Sequence, residues 1–475
     1  MRTGELGFWW RSLGGQPDGR EPLPGPLEAD VAIVGAGYTG LWTAYYLKRA
    51  QPSLRVVVLE AERAGYGASG RNGGWATGFF SGPARAYERE SRRHRESGHR
   101  EGGGSGDGAR AGYVALQREM FATVDEIARV LAHERIDADF VKGGHLSVAL
   151  DAAQAQRLRA RLRELRALGL GEGDVHELSG EQLAERVRVA GAQQATFSPH
   201  AARLHPAKLL AGLASAVERL GASIYERTPV REIVAGEART ARGDVRARWV
   251  VRATEGYTSS LRGLRRALVP INSSMIVTEP LGAEVWDEIG WSGEEVLDDN
   301  AHLFVYLQRT ADGRIAIGGR GVPYRYGSRS GGEGETARAT VAQLRAKLQA
   351  IFPAAAGAEF DHAWSGVLGV ARDWCVSVDA DRASGLAWAG GYVGEGVAAS
   401  NLAARTLRDL LLGESTALTR LPWVGRHARR WEPEPLRWAG IRGVYSLYRR
   451  ADAVERRSGR PAALARLVDR VSGRS

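Results

Sequence analysis

The sequence predicts an α/β chain, α+β overall, in which a Rossmann-like domain is interleaved with a second domain built on an antiparallel sheet. Three observations carry that prediction. Residues 31–40 read V-A-I-V-G-A-G-Y-T-G, an apolar run that stops at three glycines spaced G-x-G-x-x-G. Residues 55–60, R-V-V-V-L-E, form a second β-branched run that ends in an acid. Residues 270–280 and 301–321 are rich in β-formers, with a turn at Ala311-Asp312-Gly313, as antiparallel strands require. At 475 residues the chain is too long for one core, so two domains sharing it are expected.

Taken in order, residues 1–29 are Gly/Pro-rich around the cluster Phe8-Trp9-Trp10 and predict an irregular arm wrapped on the first domain. Residues 30–34 suit a strand buried on both faces, and residues 38–49 have apolar positions at helical spacing. Between them, Gly35 permits the tight turn, Gly37 lets backbone approach a pyrophosphate, and Gly40 lets the helix lie close to the sheet. The helix N-terminus offers free N–H groups to phosphates. Glu60, at the end of the second strand, can accept both hydroxyls of an adenosine ribose. Residues 61–75, A-E-R-A-G-Y-G-A-S-G-R-N-G-G-W, cannot build a core. They predict a loop of exposed amides that admits a planar ligand.

Residues 91–110 are charged, Gly-rich and without periodicity, and are read as a mobile insertion. His94 and His99 within it have no third partner, so they are read as solvated, and no metal site is expected. Residues 111–134 predict a helix, 139–150 a strand, 152–168 an Arg/Leu-rich helix, and 179–187 a shorter helix capped by Ser179. His145 is read as a strand residue beside a bulge. His205-Pro206 opens an amphipathic helix over 207–220, and residues 224–234 and 245–256 predict strands.

Composition narrows the class. Apolar content of 44% and charged content of 25% are those of a globular protein. One cysteine, Cys375, leaves no internal disulfide and no cysteine metal cluster, which fits a reducing cytoplasm. No run resembles a signal peptide or a membrane span. The net charge of +10 is concentrated in residues 426–475, where 13 Arg face 5 acids. That tail is read as a solvated helical face, with an RNA or membrane-surface contact as the lesser alternative and no DNA contact, while Trp431, Trp438, Ile441, Tyr445 and Leu447 among its arginines allow it to pack on the body or on a partner.

The glycine turn, Glu60 and the G-A-S-G-R-N-G-G-W loop resemble the FAD-dependent oxidoreductases of the D-amino-acid oxidase/glycine oxidase superfamily, particularly the branch containing gamma-glutamylputrescine oxidoreductase. Residues 387–403, A-W-A-G-G-Y-V-G-E-G-V-A-A-S-N-L-A, resemble that family's final strand, glycine turn and helix. The resemblance implies a glutathione-reductase type FAD-binding domain made of residues 1–90, 201–262 and 363–425. It implies a substrate domain from 111–200 and 263–362, and leaves 426–475 as a basic helical tail; because every cofactor motif lies before Ala404, removal of residues 430–475 is expected to spare FAD binding. It implies cofactor contacts from Ser69, Gly70, Arg71, Asn72, Gly73 and Gly74, from the Val230 backbone at the adenine, from Ala253 and Thr254, and from Gly391, Gly394, Gly396 and Val397. The last helix would point its N-terminus at the flavin. The chemistry implied is oxidation of a C–N bond by hydride transfer to flavin N5, giving an imine that hydrolyses, with O₂ or another acceptor taking the electrons.

Departures from the family refine this. The arginine that clamps a substrate carboxylate in the α-amino-acid oxidases falls near Leu368, so an amine without a free α-carboxylate is the expected substrate. Cys375 lies only four positions before Asp379, nearer than the family's flavin-attachment cysteine, so FAD is expected to be noncovalent. The oxygen-assisting lysine of some relatives maps near Ala316, which leaves oxidase and dehydrogenase both open. Candidate cavity residues are Tyr306, Arg309, Arg320 and Tyr324, with Arg372 as a further clamp candidate. The alternatives are a flavoprotein that modifies tRNA, an amino-acid oxidase with an unrecognised clamp, and a non-catalytic flavin scaffold.

Overall fold

The computed structural model describes residues 1–96, 107–330 and 332–473. In its first sheet the strands Leu27–Val34, Val56–Leu59 and Ser223–Tyr225 run parallel, and Val245–Arg252 pairs parallel on the other side of Leu27–Val34. Leu386–Gly390 joins Val245–Arg252 in parallel, which returns the chain's last glycine turn to the side of its first. Residues 31–34 and Val56–Leu59, at the centre of the sheet, read as continuous apolar runs because helices cover them. Helix Tyr38–Ala50 is buried from Tyr38 through Lys48 and shares a core with helices Pro206–Arg219 and Gly396–Leu412. Lys48 survives this burial by carrying its ammonium to the carbonyls of Pro52 and Leu54.

The second sheet has nine strands, and Phe360–Val370, Val269–Thr278, Ile315–Gly319 and Val305–Arg309 are antiparallel neighbours in that order. Two junctions are parallel: Arg2–Thr3 beside Phe360–Val370, and Val296–Asp299 beside His145–Ala149. Ile276, Leu307 and Ile317 point into a core closed by Leu344 and Leu348 of helix Arg338–Ile351.

Several expectations are corrected. The arm is less irregular than composition suggests, since Arg2–Thr3 extends the second sheet and Phe8–Arg11 is a buried helical turn. The strand expected over 139–150 forms only at His145–Ala149, because Asp139 and Gly144 have positive φ and break the extended run. The insertion is narrower than residues 91–110. Helix Ala84–Glu96 continues through residues 91–96, helped by the strong helix formers Arg and Glu and by Glu90 pairing with Arg93 and His94. Helix Asp107–Glu134 begins before residue 110. Residues 97–106, including His99, lie outside the described residues.

The tail is not a separable appendage. Its helices Leu436–Ser458 and Ala463–Ser472 pack on the body, and Trp431, Ile441 and Tyr445 share a core with Val269, Ile271, Val370 and Val393. Burying an aliphatic side chain of that size stabilises by about 1.5–3 kcal/mol, so the tail contributes to the fold beside the last glycine turn. Among the described residues, no helix is long and apolar enough to cross a membrane.

Candidate active site

Two adjoining cavities form one groove between the sheets. The nucleotide-end cavity, about 470 Å³, is lined by the Gly35 turn, Glu60, Ser69, Val230, Ala253 and Thr254. The ring-end cavity, about 380 Å³, is lined by the sheet side chains around Tyr306. Ala68, Asn72, Leu368, Gly394 and Val397 face both.

At the nucleotide end, local backbone makes the cradle. Gly35 has φ +108° and a Cβ there would lie 2.7 Å from the Ala253 carbonyl oxygen, so only glycine makes this turn. A Cβ on Gly40 would overlap the Gly35 carbonyl oxygen. Gly37 faces Ser69, whose hydroxyl accepts the Tyr38 N–H at 2.9 Å and stands over the helix N-terminus. One Glu60 oxygen accepts the Ala36 N–H at 2.7 Å and the other the Glu62 N–H at 3.1 Å. Burial pushes the Glu60 carboxyl up to about 7, against the pull of those two N–H groups.

The loop 61–75 is held by its own polar side chains. The Asn72 amide donates to the Ser69 carbonyl at 2.6 Å, and its oxygen accepts the Gly74 N–H at 2.8 Å. Buried Arg71 donates to the Tyr66 carbonyl at 2.8 Å and to Gly332 and Ser365, and lies over the Tyr66 ring. Trp9 and Trp364 donate to the carbonyls of Asn72 and Arg71. The N-terminal aromatic cluster therefore supports this loop. Gly70 packs against Gly65 and Trp10, Gly73 against the Tyr306 ring, and Gly74 against Gln308.

Behind the last glycine turn stands a residue to which sequence reasoning assigned no role. Half-buried Glu255 accepts the N–H groups of Gly391 at 2.9 Å and Tyr392 at 3.1 Å, and burial pushes its carboxyl up to about 7. Gly391 thus contacts Glu255 rather than lining the groove, whereas Gly394, Gly396 and Val397 line it. An acid directly after the strand end Ala253-Thr254 was the available signal.

At the ring end, side chains from distant strands converge. The Tyr306 and Ser273 hydroxyls are 2.9 Å apart, and Trp75 meets the Tyr306 ring edge-on. His145 lies 3.1 Å from Asp298 and beside Trp75. Burial opposes protonation of His145, yet the Asp298 charge and hydrogen bond outweigh it and hold its pKa above the ordinary value. The Arg320 guanidinium donates to the Val393 carbonyl at 3.2 Å through Nη2, while its buried Nη1 has no partner. Glu395, the residue before helix Gly396–Leu412, completes the cavity and caps nothing with its side chain. Burial pushes the Glu395 carboxyl up to about 7, moderated by His145 and Arg320. Sequence reasoning missed Glu395 and Asp298.

The remaining candidates lie elsewhere. Arg309 stacks over Trp286 and donates to the Trp291 carbonyl. Arg372 binds Glu432 and the Ser472 carbonyl, and Tyr324 binds Glu434, so both are tail contacts. Cys375 is buried, lines neither cavity, and has its thiol pushed up to about 12 by burial. Among the described residues, His302, Asp452 and Glu455 form the one cluster of metal-ligand type. Asp452 already accepts the His302 and Leu303 N–H groups, and Glu455 binds Arg157 and His302, so the cluster is a tail clasp.

The groove fits a dinucleotide: a carboxylate for a ribose, a helix N-terminus for phosphates, and a second chamber of about 380 Å³ beyond. Comparison with known proteins agrees. A family described as FAD dependent oxidoreductase, DAO, matches residues 30–410. The chain is 31% identical to a probable oxidoreductase OrdL of Rhizobium meliloti over 83% of this chain and 86% of that protein. It is 29% identical to gamma-glutamylputrescine oxidoreductase of Escherichia coli over 82% of this chain and 85% of that one. In fold it is similar to glycine oxidase from Geobacillus kaustophilus, with TM-score 0.65 and 21% identity over 85% of this chain and all of that one. L-amino acid deaminase from Proteus vulgaris is similar too, with TM-score 0.65 and 20% identity over 86% of this chain and 96% of that one. A turn, an acid and a loop that suit a dinucleotide, within a match over most of its length, make this chain a member of the DAO family of FAD-dependent oxidoreductases.

Proposed function

We propose that this chain oxidises a C–N bond of an amine that also carries a carboxylate. The observation that carries the reading is the buried, unpartnered Nη1 of Arg320 at the ring-end cavity. A guanidinium with an unused donor is a strong partner for a carboxylate. This departs from the expectation that no clamp exists. Leu368, expected at the position of the family's arginine, lines the cavity, and Arg320 reaches the same cavity from the end of another strand. In the same cavity Glu395 and Asp298 provide negative charge for an ammonium. γ-Glutamylputrescine, the compound in the name of the Escherichia coli relative, has both a carboxylate and a free amine.

The nucleotide end would hold FAD through Glu60, Ser69, Val230 and the amides at Gly37 and Tyr38. When bound, FAD supplies the two-electron acceptor for the C–N bond and passes the electrons to O₂ or another acceptor. Arg320 holds the carboxylate, and Trp75, Phe79 and Phe304 exclude water. The Glu395 carboxylate accepts the proton of the substrate ammonium, which frees the nitrogen lone pair needed to expel hydride from the adjacent carbon. The imine that results adds water and separates into a carbonyl compound and ammonia, or an amine where the oxidised nitrogen was secondary.

The test is anaerobic flavin bleaching against amino acids, γ-glutamyl amines and simple diamines, in the wild type and Arg320→Met. Removing a charge-assisted hydrogen bond costs about 1.5–3 kcal/mol. Arg320→Met should therefore weaken carboxylate-bearing substrates roughly ten- to a hundredfold, and leave diamines unaffected. A wild type bleached equally fast by a diamine would overturn the carboxylate requirement and favour the second reading, an amine that pairs with Asp298 and Glu395 alone.

A further inference from the structure

We infer that the C-terminal helix pair is a docking surface for an anionic phospholipid bilayer. The pair separates its charges by face. Its acids turn inward: Asp452 and Glu455 hold the body at residues 302–303 and Arg157, and Asp469 takes the Tyr448 hydroxyl. Among the described residues, the outward side from Leu436 to Gly473 exposes no acid at all. It exposes Arg442, Arg449, Arg450, Arg456, Arg457, Arg460, Arg466 and Arg470, and none of these forms an ion pair among the described residues. A surface serving only solubility interleaves both signs.

The same side carries exposed aliphatic side chains. Leu436, Leu447 and Val454 are 65%, 38% and 45% exposed, and Leu467 on the second helix is 58% exposed. Leu436, Leu447 and Val454 stand about three and about two turns apart, so they form one stripe along the helix. Gly440 and Gly443 fall on that stripe, and Arg450, Arg457 and Arg442 border it on the side away from the body. Val322 and Tyr326, also exposed, sit in a loop held against this helix by Arg449 on the Gly321 carbonyl and by Tyr326 against Trp438. Leu436, Leu447 and Val454 thus share one exposed line on the helix rather than being scattered around it.

An apolar stripe bordered by arginines, on a helix already anchored by its other face, suits a lipid interface, where aliphatic groups enter the acyl boundary and cations meet headgroup phosphates. RNA would reward the arginines but not exposed Leu and Val, since base contact rests on aromatic stacking.

The experiment is flotation of the full-length FAD-loaded protein with phosphatidylcholine vesicles, with and without phosphatidylglycerol. The protein should float with the anionic vesicles only and be released by high salt. Arg450→Glu/Arg457→Glu and Leu447→Asp/Val454→Asp should each cut binding about tenfold or more, with flavin absorbance and melting temperature unchanged. Absence of flotation would overturn the inference, as would variants that float like the wild type. So would retention of an RNA oligonucleotide without vesicle binding, or a dimer that Leu447→Asp/Val454→Asp dissolves.

Discussion

At the nucleotide end of the groove the glycine turn, Glu60 and Ser69 come from one stretch of chain, whereas the ring end takes side chains from five separate segments. Gly35, Gly37, Gly40, Glu60 and Ser69 fall within one strand–helix–strand–loop unit. His145, Asp298, Tyr306, Arg320 and Glu395 are brought together only by the second sheet and the last glycine turn. The first end is therefore fixed by local sterics, which admit almost no substitution. The second is tuned by charge, and can change substrate without disturbing the cradle.

Gly40→Ala should break the comparison most visibly at the first end. The added Cβ overlaps the Gly35 carbonyl oxygen, and backbone on both sides leaves nothing to rotate away. We expect protein purified without the flavin band near 450 nm. Retention of stoichiometric flavin would show that the helix can shift off the sheet. Arg320→Met, by contrast, should keep full flavin content and change only substrate affinity.

Glu395→Gln addresses charge at the second end. His145, Asp298 and Arg320 are the charged groups that act on Glu395. With its carboxyl at about 7, Glu395 accepts a proton only above that pH, so wild-type flavin reduction should slow about tenfold per pH unit below it. The variant should lose this limb and show a low, flatter profile, with flavin content unchanged. A limb that persists in Glu395→Gln would transfer the proton-accepting role to the His145–Asp298 pair.

The contrast also explains what could be read from the sequence. The cradle was legible because its spacing is a property of one continuous stretch. The parallel sheet followed from it, because buried strands are uniformly apolar. The ring end was legible in parts. Tyr306 and Arg320 stand out in the sequence, but so does Arg309, although Tyr306 and Arg309 are three positions apart in one strand and must face opposite sides. Glu395 and Asp298 do not stand out, because an acid at a helix start or strand end usually faces water; only the tertiary fold buries them. The tail misleads for a related reason. Counting its arginines hides the inward face of Trp431, Ile441 and Tyr445, whose partners Val269, Ile271, Val370 and Val393 lie in other elements of the fold.

The smallest expected effect returns to the nucleotide end and to Glu60, the carboxylate placed for the ribose. Without FAD, burial holds the Glu60 carboxyl at about 7. Ribose hydroxyls donate to the ionised carboxylate and so favour it, and binding FAD below that pH must release a proton. The sign follows: affinity is greatest above about 7 and declines as pH falls through it, by up to about tenfold at pH 6. Titration of apoprotein with FAD, followed by quenching of flavin fluorescence between pH 5.5 and 8, would measure this. Glu60→Gln should bind more weakly at pH 8 yet show no such decline, because its amide does not titrate. A wild type whose affinity is constant across that range would mean that Glu60 is already ionised before FAD arrives, held so by the Ala36 and Glu62 N–H groups. The cradle would then be preorganised in charge as well as in shape.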